Sequence, residues 1–141
     1  MAVEDLDLTP PSVILDEDTH RYLFENFSRL QEWVVGDAAW IAPTLLNGWV
    51  DFAGGFAAAG YRKTGRVVYI QGFIKSGTTT INTVLFTLPT GYRPADELVF
   101  TTLTSPNALM RLDVLANGDV VLKMTASATW LVLGPISFHI D

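Results

Sequence analysis

The sequence predicts a mainly β protein, an antiparallel β-sandwich or jelly-roll-like head that follows an extended arm and one short helix. Helical periodicity occurs in one segment, which ends before Gly36. After Gly36, short β-rich runs alternate with turn residues every 8–12 residues or so, a spacing typical of antiparallel sandwiches and barrels. The length of 141 residues suits a single domain, since most domains have about 100–150 residues.

Residues 1–15 are predicted to form an extended docking arm. Pro10 and Pro11 are incompatible with a continuous helix, because proline lacks a backbone N–H and restricts the residue before it. The arm also carries apolar side chains that could pack on a partner: Leu6, Leu8, Val13 and Leu15.

Residues 16–36 are predicted to form a neck helix. Three acids and Thr19 open the segment, where negative charge and a capping hydroxyl favour a helix N-terminus. The apolar residues then recur at spacings of four, three and four, as in a coiled coil. Such a stripe could pack on its own domain or against copies of itself, and two heptads need a larger body to set their register. The predicted neck residues are Leu23, Phe27, Leu30 and Val34.

Residues 37–141 are predicted to form the β-sandwich head. The stretch Ala53–Gly60, rich in small residues, is interpreted as a close-approach loop. The predicted strands are Trp40–Leu46, Trp49–Phe52, Arg66–Lys75, Ile81–Leu88, Glu97–Thr104, Leu109–Leu115, Val120–Thr125, Thr129–Leu133 and Ile136–Ile140.

The register of one hairpin follows from the alternation of its apolar residues. A two-residue loop at Asn117-Gly118 would place Leu112 opposite Lys123 and mix the two faces. A type I turn through Ala116-Asn117, with Gly118 left-handed as a bulge, pairs residue 115 with residue 119. That register aligns Leu112 with Leu122, Val114 with Val120, and Met110 with Met124.

The segment Arg66–Lys75 is apolar on both alternating faces. Val67, Tyr69 and Phe73 would lie on one face, opposite Val68, Ile70 and Ile74. A strand in a sandwich normally has one polar face. The pattern therefore predicts either an internal layer or a neighbouring subunit over the second face.

Charge is concentrated at the N-terminus. Residues 1–37 contain nine acids and two bases, whereas residues 38–141 contain six acids and seven bases. A nearly neutral body in a chain that is 49% hydrophobic favours association between copies. Nine lysines and arginines in all make nucleic acid a poor partner. We also expect no secretory signal, because the first residues are acidic and contain no apolar stretch. We expect no membrane insertion, because the longest uncharged runs, Ser76–Tyr92 and Met124–Ile140, are shorter than the roughly 20 apolar residues of a membrane span and contain Thr, Gly and Pro.

The sequence has no motif for catalysis, so we expect a binding protein with no enzymatic activity, cofactor or metal. It lacks cysteine, has two histidines, and has no nucleophile-elbow, zinc-protease or phosphate-loop motif. Aromatic rings beside polar groups instead suggest a sugar-binding surface, although large rings are more often buried in packing. The candidate glycan-binding residues are Trp49, Asp51, Tyr61, Arg62, Tyr92 and Arg93.

The body resembles the C-terminal heads of bacteriophage tail fibres and receptor-binding proteins. The resemblance covers about residues 40–138, and its more specific part is Leu-Pro-Thr-Gly-Tyr-Arg-Pro at 88–94 after Asn-Gly-Trp at 47–49. The other matching segments are Trp40–Leu46, Tyr61–Lys63, Gly65–Lys75, Phe86–Thr87, Asn117–Val120 and Leu133–Phe138.

This resemblance implies a homotrimeric head on a helical neck, located in the virion and assembled in the host cytoplasm. It also implies contact with host-surface carbohydrate, and with other virion proteins through residues 1–36. The leading hypothesis is therefore a trimeric tail-fibre or spike tip, and the shortness of the chain makes a capsid or tail decoration trimer without ligand binding the alternative. A cellular lectin-like module is a third alternative.

Overall fold

The computed structural model describes residues 21, 23, 25, 26 and 39–141. The chain divides into two units, residues 1–36 and 37–141. The described residues of the first unit are helical and exposed, including the predicted neck residue Leu23. The arm at 1–15 and the other neck residues, Phe27, Leu30 and Val34, lie outside the described residues, so the arm and the neck remain predictions.

Residues 39–141 form ten strands that pair antiparallel in two sheets. The strands are β1 (Val50–Asp51), β2 (Gly60–Thr64), β3 (Val67–Gln71), β4 (Phe73–Lys75), β5 (Val84–Thr87), β6 (Leu98–Thr104), β7 (Ala108–Val114), β8 (Asp119–Leu122), β9 (Leu131–Val132) and β10 (Ile136–His139). The larger sheet has the order β1-β4-β9-β6-β7-β8-β5 and the smaller has β10-β3-β2. The predicted mainly β, sandwich-like class is confirmed.

One hydrophobic core receives side chains from both sheets, because alternate residues of each strand point to the same side. Burying each large apolar side chain contributes about 1.5–3 kcal/mol. The smaller sheet contributes Tyr61, Val68, Ile70, Ile136 and Phe138, and the larger sheet contributes Ile74, Leu85, Phe86, Met110, Leu112, Val114, Val120, Leu122 and Leu131.

The predicted single strand Arg66–Lys75 is wrong, because the chain changes sheets at Gly72. β3 pairs with β10 in the smaller sheet, whereas β4 pairs with β9 in the larger one. Gly72 has a φ of 151°, and a Cβ there would lie 2.7 Å from the Ala59 Cα. The corner thus requires a residue without a side chain.

The second apolar face of residues 66–75, which includes Tyr69 and Phe73, is partly covered by other side chains of the same chain. Val68, Ile70 and Ile74 are buried in the core, whereas Tyr69 and Phe73 are half-buried. The Arg62 guanidinium lies 5.7 Å from the Tyr69 ring centroid. Aromatic side chains of the head cover Phe73, as described below, so its apolar character does not by itself require a second subunit.

The predicted hairpin register is confirmed at its two inner pairs, Leu112–Leu122 and Val114–Val120. The Leu115 N–H donates to the Asp119 carbonyl at 2.9 Å, and Gly118 has a φ of 95°. The third predicted pair, Met110 with Met124, lies past the end of β8. Met110 is buried there, whereas Met124 is 46% exposed.

Near the start of the head, the observed strands differ from the predicted ones in two ways, and both differences involve β2, the strand that carries Tyr61. The predicted strand Trp40–Leu46 is reduced to one bridge, between Ile41 and Tyr61. Pro43 has no N–H to continue the pairing. The partner strand β2 was not predicted, because Arg62, Lys63 and Thr64 interrupt any apolar alternation.

Candidate functional site

Trp49 is a core residue and presents no ring face to a ligand. Its side chain is 2% exposed, and its indole Nε1 donates to the Thr78 carbonyl at 3.1 Å. The sequence could not separate this buried tryptophan from a surface one, since both occur next to turns. Trp49 is therefore removed from the candidate glycan site.

Asp51 and Arg93 bind backbone groups. The Asp51 Oδ1 accepts a hydrogen bond from the Ala59 N–H at 2.8 Å and so closes the loop that follows β1. The Arg93 Nε donates to the Leu88 carbonyl at 2.8 Å and holds the turn after β5. These two side chains are structural anchors of the head.

Arg62 lies among aromatic rings of the same chain. Its guanidinium carbon is 4.5 Å from the Trp40 ring centroid, on the segment that bridges to β2. Cation–π contacts of this kind contribute about 0.5–1 kcal/mol at exposed sites. Arg62 therefore joins the strand β2 to the segment before it.

Tyr61, on β2, lines a cleft of about 310 Å³. The tyrosine is 8% exposed, and its hydroxyl has no hydrogen-bond partner in the part of the chain that the structure describes. Burial, with a smaller contribution from Tyr92, raises the pKa of Tyr61, so the phenol is neutral at physiological pH. We call this cavity the Tyr61 cleft; its lining residues are Ala42, Pro43, Thr44, Leu46, Tyr61, Thr87 and Pro89.

Tyr92 and Lys63 support the Tyr61 ring. The Tyr92 ring meets it edge to face, with the centroids 5.1 Å apart. The Lys63 Nζ lies 4.6 Å from the Tyr92 centroid and donates to the Gly91 carbonyl at 2.8 Å. Of the predicted glycan residues, the structure thus brings Tyr61 and Tyr92 together beside the cleft.

A second surface feature, the aromatic patch, consists of Phe52, Phe56, Phe73 and Trp130. Phe73 is stacked between Phe56, at 4.4 Å, and Trp130, at 5.4 Å, while Phe52 packs edge-on against Phe73 at 5.0 Å. Phe56 is 53% exposed. The interpretation of Ala53–Gly60 as a close-approach loop missed the aromatic patch. The sequence did contain a signal for it, because Phe-Ala-Gly-Gly-Phe at 52–56 places two phenylalanines among small residues.

The outer face of the larger sheet carries an ionised pair. Arg111 binds the buried Asp113 carboxylate through two hydrogen bonds of 2.8 Å each. This contact lowers the pKa of Asp113, although burial acts in the opposite direction. The neighbouring Asp113 carboxyl raises the pKa of the exposed Glu97, chiefly because it favours the protonated Glu97 as a hydrogen-bond partner.

Neither a metal cluster nor a long apolar helix occurs in the described part of the chain. No group of three or more His, Asp or Glu side chains there is placed to hold a metal ion. None of the helical residues described belongs to a helix that is long and apolar enough to cross a membrane.

Comparison with known proteins identifies the fold. Neither a protein-family profile nor a curated protein sequence matches the chain. Among solved structures, the chain is similar to the crystal structure of the receptor binding protein (gp15) of Listeria phage PSA, with a TM-score of 0.62 and 16% sequence identity. The match covers 92% of this chain and 82% of that one. The chain therefore has a fold like that of a phage receptor binding protein.

Proposed function

We propose that this chain is a bacteriophage virion protein whose head attaches the particle to a carbohydrate on the host cell surface. The observation that carries the proposal is the fold match, which extends over 92% of the chain, to the receptor binding protein of a Listeria phage. At 16% identity the match concerns architecture, so the receptor contacts must come from side chains particular to this head.

The proposed working unit is a homotrimer at the tip of a tail fibre or spike, assembled in the host cytoplasm. Its support is the aromatic patch together with the nearly neutral body, since exposed aromatic groups are enriched at protein interfaces. The acidic residues 1–36 would join it to other virion proteins. In this proposal the head binds its receptor and catalyses no reaction.

A decoration trimer without a ligand is the second candidate function. It is favoured by the roles of Trp49, Asp51 and Arg93, three candidate glycan residues that instead pack in the core or hold backbone groups. Such a protein would bind a capsid or tail surface through the same fold.

Cell binding separates the two candidates. The full chain, labelled with a fluorophore, is incubated with a panel of bacterial strains and with their isolated cell-wall polysaccharides. Receptor binding predicts saturable binding to some strains, which unlabelled protein competes away and which blocks phage adsorption on the same cells. A chain that binds no strain but saturates purified capsids or tails would be a decoration protein. Multi-angle light scattering then measures its mass, and a monomer contradicts both trimer proposals.

A further inference from the structure

The Tyr61 cleft has a lining that matches one class of ligand. None of its seven lining residues carries a formal charge, and three of them have a hydroxyl group: Thr44, Tyr61 and Thr87. The others present carbon surface. A charged group placed there would lose hydration with no lining counterion, which is costly. Hydroxyl groups opposite carbon surface instead fit a molecule with both hydroxyl groups and apolar C–H faces.

The Tyr61 hydroxyl is available to a ligand in the cleft. Tyr61 as a whole is 8% exposed, and its hydroxyl, which is not fully buried, reaches solvent and makes no hydrogen bond to a described residue. Since Tyr61 lines the cleft, its hydroxyl can take a partner from the cleft contents, either water or a ligand.

Thr87 provides a complementary group. Its Oγ1 donates to the Asp119 Oδ1 at 2.6 Å, so the same oxygen can only accept a further hydrogen bond. Asp119 is held in turn by the Asn117 Nδ2 at 3.1 Å. Tyr61 can donate while Thr87 accepts, and a sugar hydroxyl can satisfy both kinds of contact, whereas a carbonyl oxygen can only accept.

The size and rigidity of the cleft suit a small ring. Its volume of about 310 Å³ lies at the lower end of the range of roughly 300–1,000 Å³ found for small-molecule pockets. Tyr92 fixes the Tyr61 ring edge to face, and Lys63 fixes Tyr92. Little side-chain ordering is then needed on binding, which favours affinity.

We propose that the Tyr61 cleft binds one neutral pyranose ring, which donates a hydroxyl to Thr87, accepts from Tyr61, and packs C–H groups on Pro43, Leu46 and Pro89. This inference rests on the proposed receptor-binding function and gives that function a location. The same ring could come from a cell-surface polysaccharide or from free sugar, and the experiment below separates these sources.

Saturation-transfer NMR and calorimetry test the ligand class on the full chain. The probes are glucose, galactose, mannose, rhamnose and N-acetylglucosamine, with glucuronic acid and sialic acid as charged counterparts. We expect at least one neutral sugar to bind and the charged ones to bind more weakly. Oligosaccharides released from strains that bind the protein should bind more tightly than the free sugar if the cell surface is the source. Failure of every neutral sugar and released oligosaccharide to bind would overturn the proposal.

Single hydroxyl deletions locate the site. Tyr61→Phe and Thr87→Val should each weaken binding by about 2- to 10-fold, the range expected for losing one hydrogen bond to a ligand. Tyr61→Phe should leave the thermal midpoint unchanged, because the Tyr61 hydroxyl has no protein partner among the described residues. Tyr69→Phe, which removes a hydroxyl from a half-buried tyrosine outside the cleft lining, is the matched control and should bind as wild type does.

The cell assay separates failure of the cleft from failure of receptor binding. If cells bind Tyr61→Phe and Thr87→Val as tightly as wild type, the cleft proposal is wrong and the receptor function stands. If a neutral sugar binds in the cleft but no strain binds the protein, the cleft assignment holds and the receptor function fails. Cell binding that is abolished by protease but survives periodate, which cleaves vicinal diols, would indicate a protein receptor and overturn the sugar assignment.

Discussion

The indole of Trp49 packs directly over the α-carbon of Gly77, so closely that a Cβ at Gly77 would overlap the indole ring atoms. The Trp49 Nε1 meanwhile donates to the carbonyl of the next residue, Thr78. The ring is thus fixed both by packing and by a hydrogen bond, and it cannot shift to make room for a methyl group.

Gly77→Ala should therefore destabilise the head by about 3 kcal/mol, at the upper end of the range for overpacked cores. In a Trp49→Phe background the smaller ring leaves space, and the same substitution should cost about 1–2 kcal/mol less, a normal coupling between residues in contact. Urea denaturation of the four proteins in this cycle measures the difference. Equal costs in both backgrounds would show that the indole is not the obstacle.

Gly72 should tolerate alanine much less well than Gly65 does. A Cβ at Gly72 would lie 2.7 Å from the Ala59 Cα and 2.9 Å from the Leu133 Cδ1, at a φ of 151°. Gly65 also has a positive φ, but a Cβ there would meet nothing within 4 Å. We expect a cost of about 1–2 kcal/mol for Gly65→Ala, from backbone strain alone, and about 3 kcal/mol or more for Gly72→Ala. Similar urea midpoints for the two variants would contradict the assigned corner.

These contacts show which parts of the fold local sequence can predict. The β7–β8 register was predictable because the turn residues and the alternation of apolar side chains lie within one short segment. The corner at Gly72 was not, because the need for glycine there comes from Ala59 and Leu133, which are distant in the sequence. An unbroken apolar run looks the same whether it stays in one sheet or crosses between two.

The cleft was even less predictable, because its lining comes from three separate stretches of chain. Tyr61 was selected from the sequence as an aromatic residue beside basic ones, but Thr44, Thr87 and Pro89 had no local signal. Trp49 and Tyr61 looked equally suitable before the structure was known. What separates them is the partner of the polar atom, which the Trp49 indole has and the Tyr61 hydroxyl lacks in the described part of the chain.

Phe56→Ser should weaken association between copies without unfolding the head. Phe56 is 53% exposed at the end of a stack of three rings, so its loss costs little core packing. Ile81→Ser is the matched control, since Ile81 is 57% exposed and lies outside the aromatic patch. Light scattering over a concentration series should show a smaller mass for Phe56→Ser at low concentration and no change for Ile81→Ser. An unchanged mass in both variants would exclude the patch from the interface.

The predicted neck can be tested through its apolar stripe. Phe27→Asp combined with Leu30→Asp places two charges in the seam, which should convert a trimer into monomers with an intact β head. Light scattering reports the mass, and the β circular-dichroism signal reports the head. Glu25→Ala, at a described and exposed helical position, controls for changes in helix content. A trimer that survives the double substitution would refute the neck.

The Glu97–Asp113–Arg111 group should make stability depend on pH in a predictable direction. Asp113, whose pKa is lowered by Arg111, stabilises the fold above its ordinary pKa of 3.8, and this contribution is lost as pH falls through the lowered value. Glu97, whose pKa is raised by the neighbouring Asp113 carboxyl, acts in the opposite sense. Its contribution is complete below its ordinary value of 4.5 and is lost as pH rises through the raised value.

Glu97→Gln should remove the loss of stability that deprotonation of Glu97 causes as pH rises, because the glutamine amide can donate a hydrogen bond to the Asp113 carboxylate at every pH. The difference in urea midpoint between this variant and wild type should be flat below about pH 4.5 and should grow in favour of the variant as pH rises. Asp96→Asn, which removes a neighbouring exposed carboxylate, controls for the change in net charge. Asp113→Asn should instead lower stability at pH 7 by about 1–3 kcal/mol through the lost charge-assisted hydrogen bonds. Arg111 is half exposed and remains solvated after that loss, so the protein should still fold. A Glu97→Gln difference that is independent of pH between 4 and 7 would show that the two carboxyl groups do not share a proton.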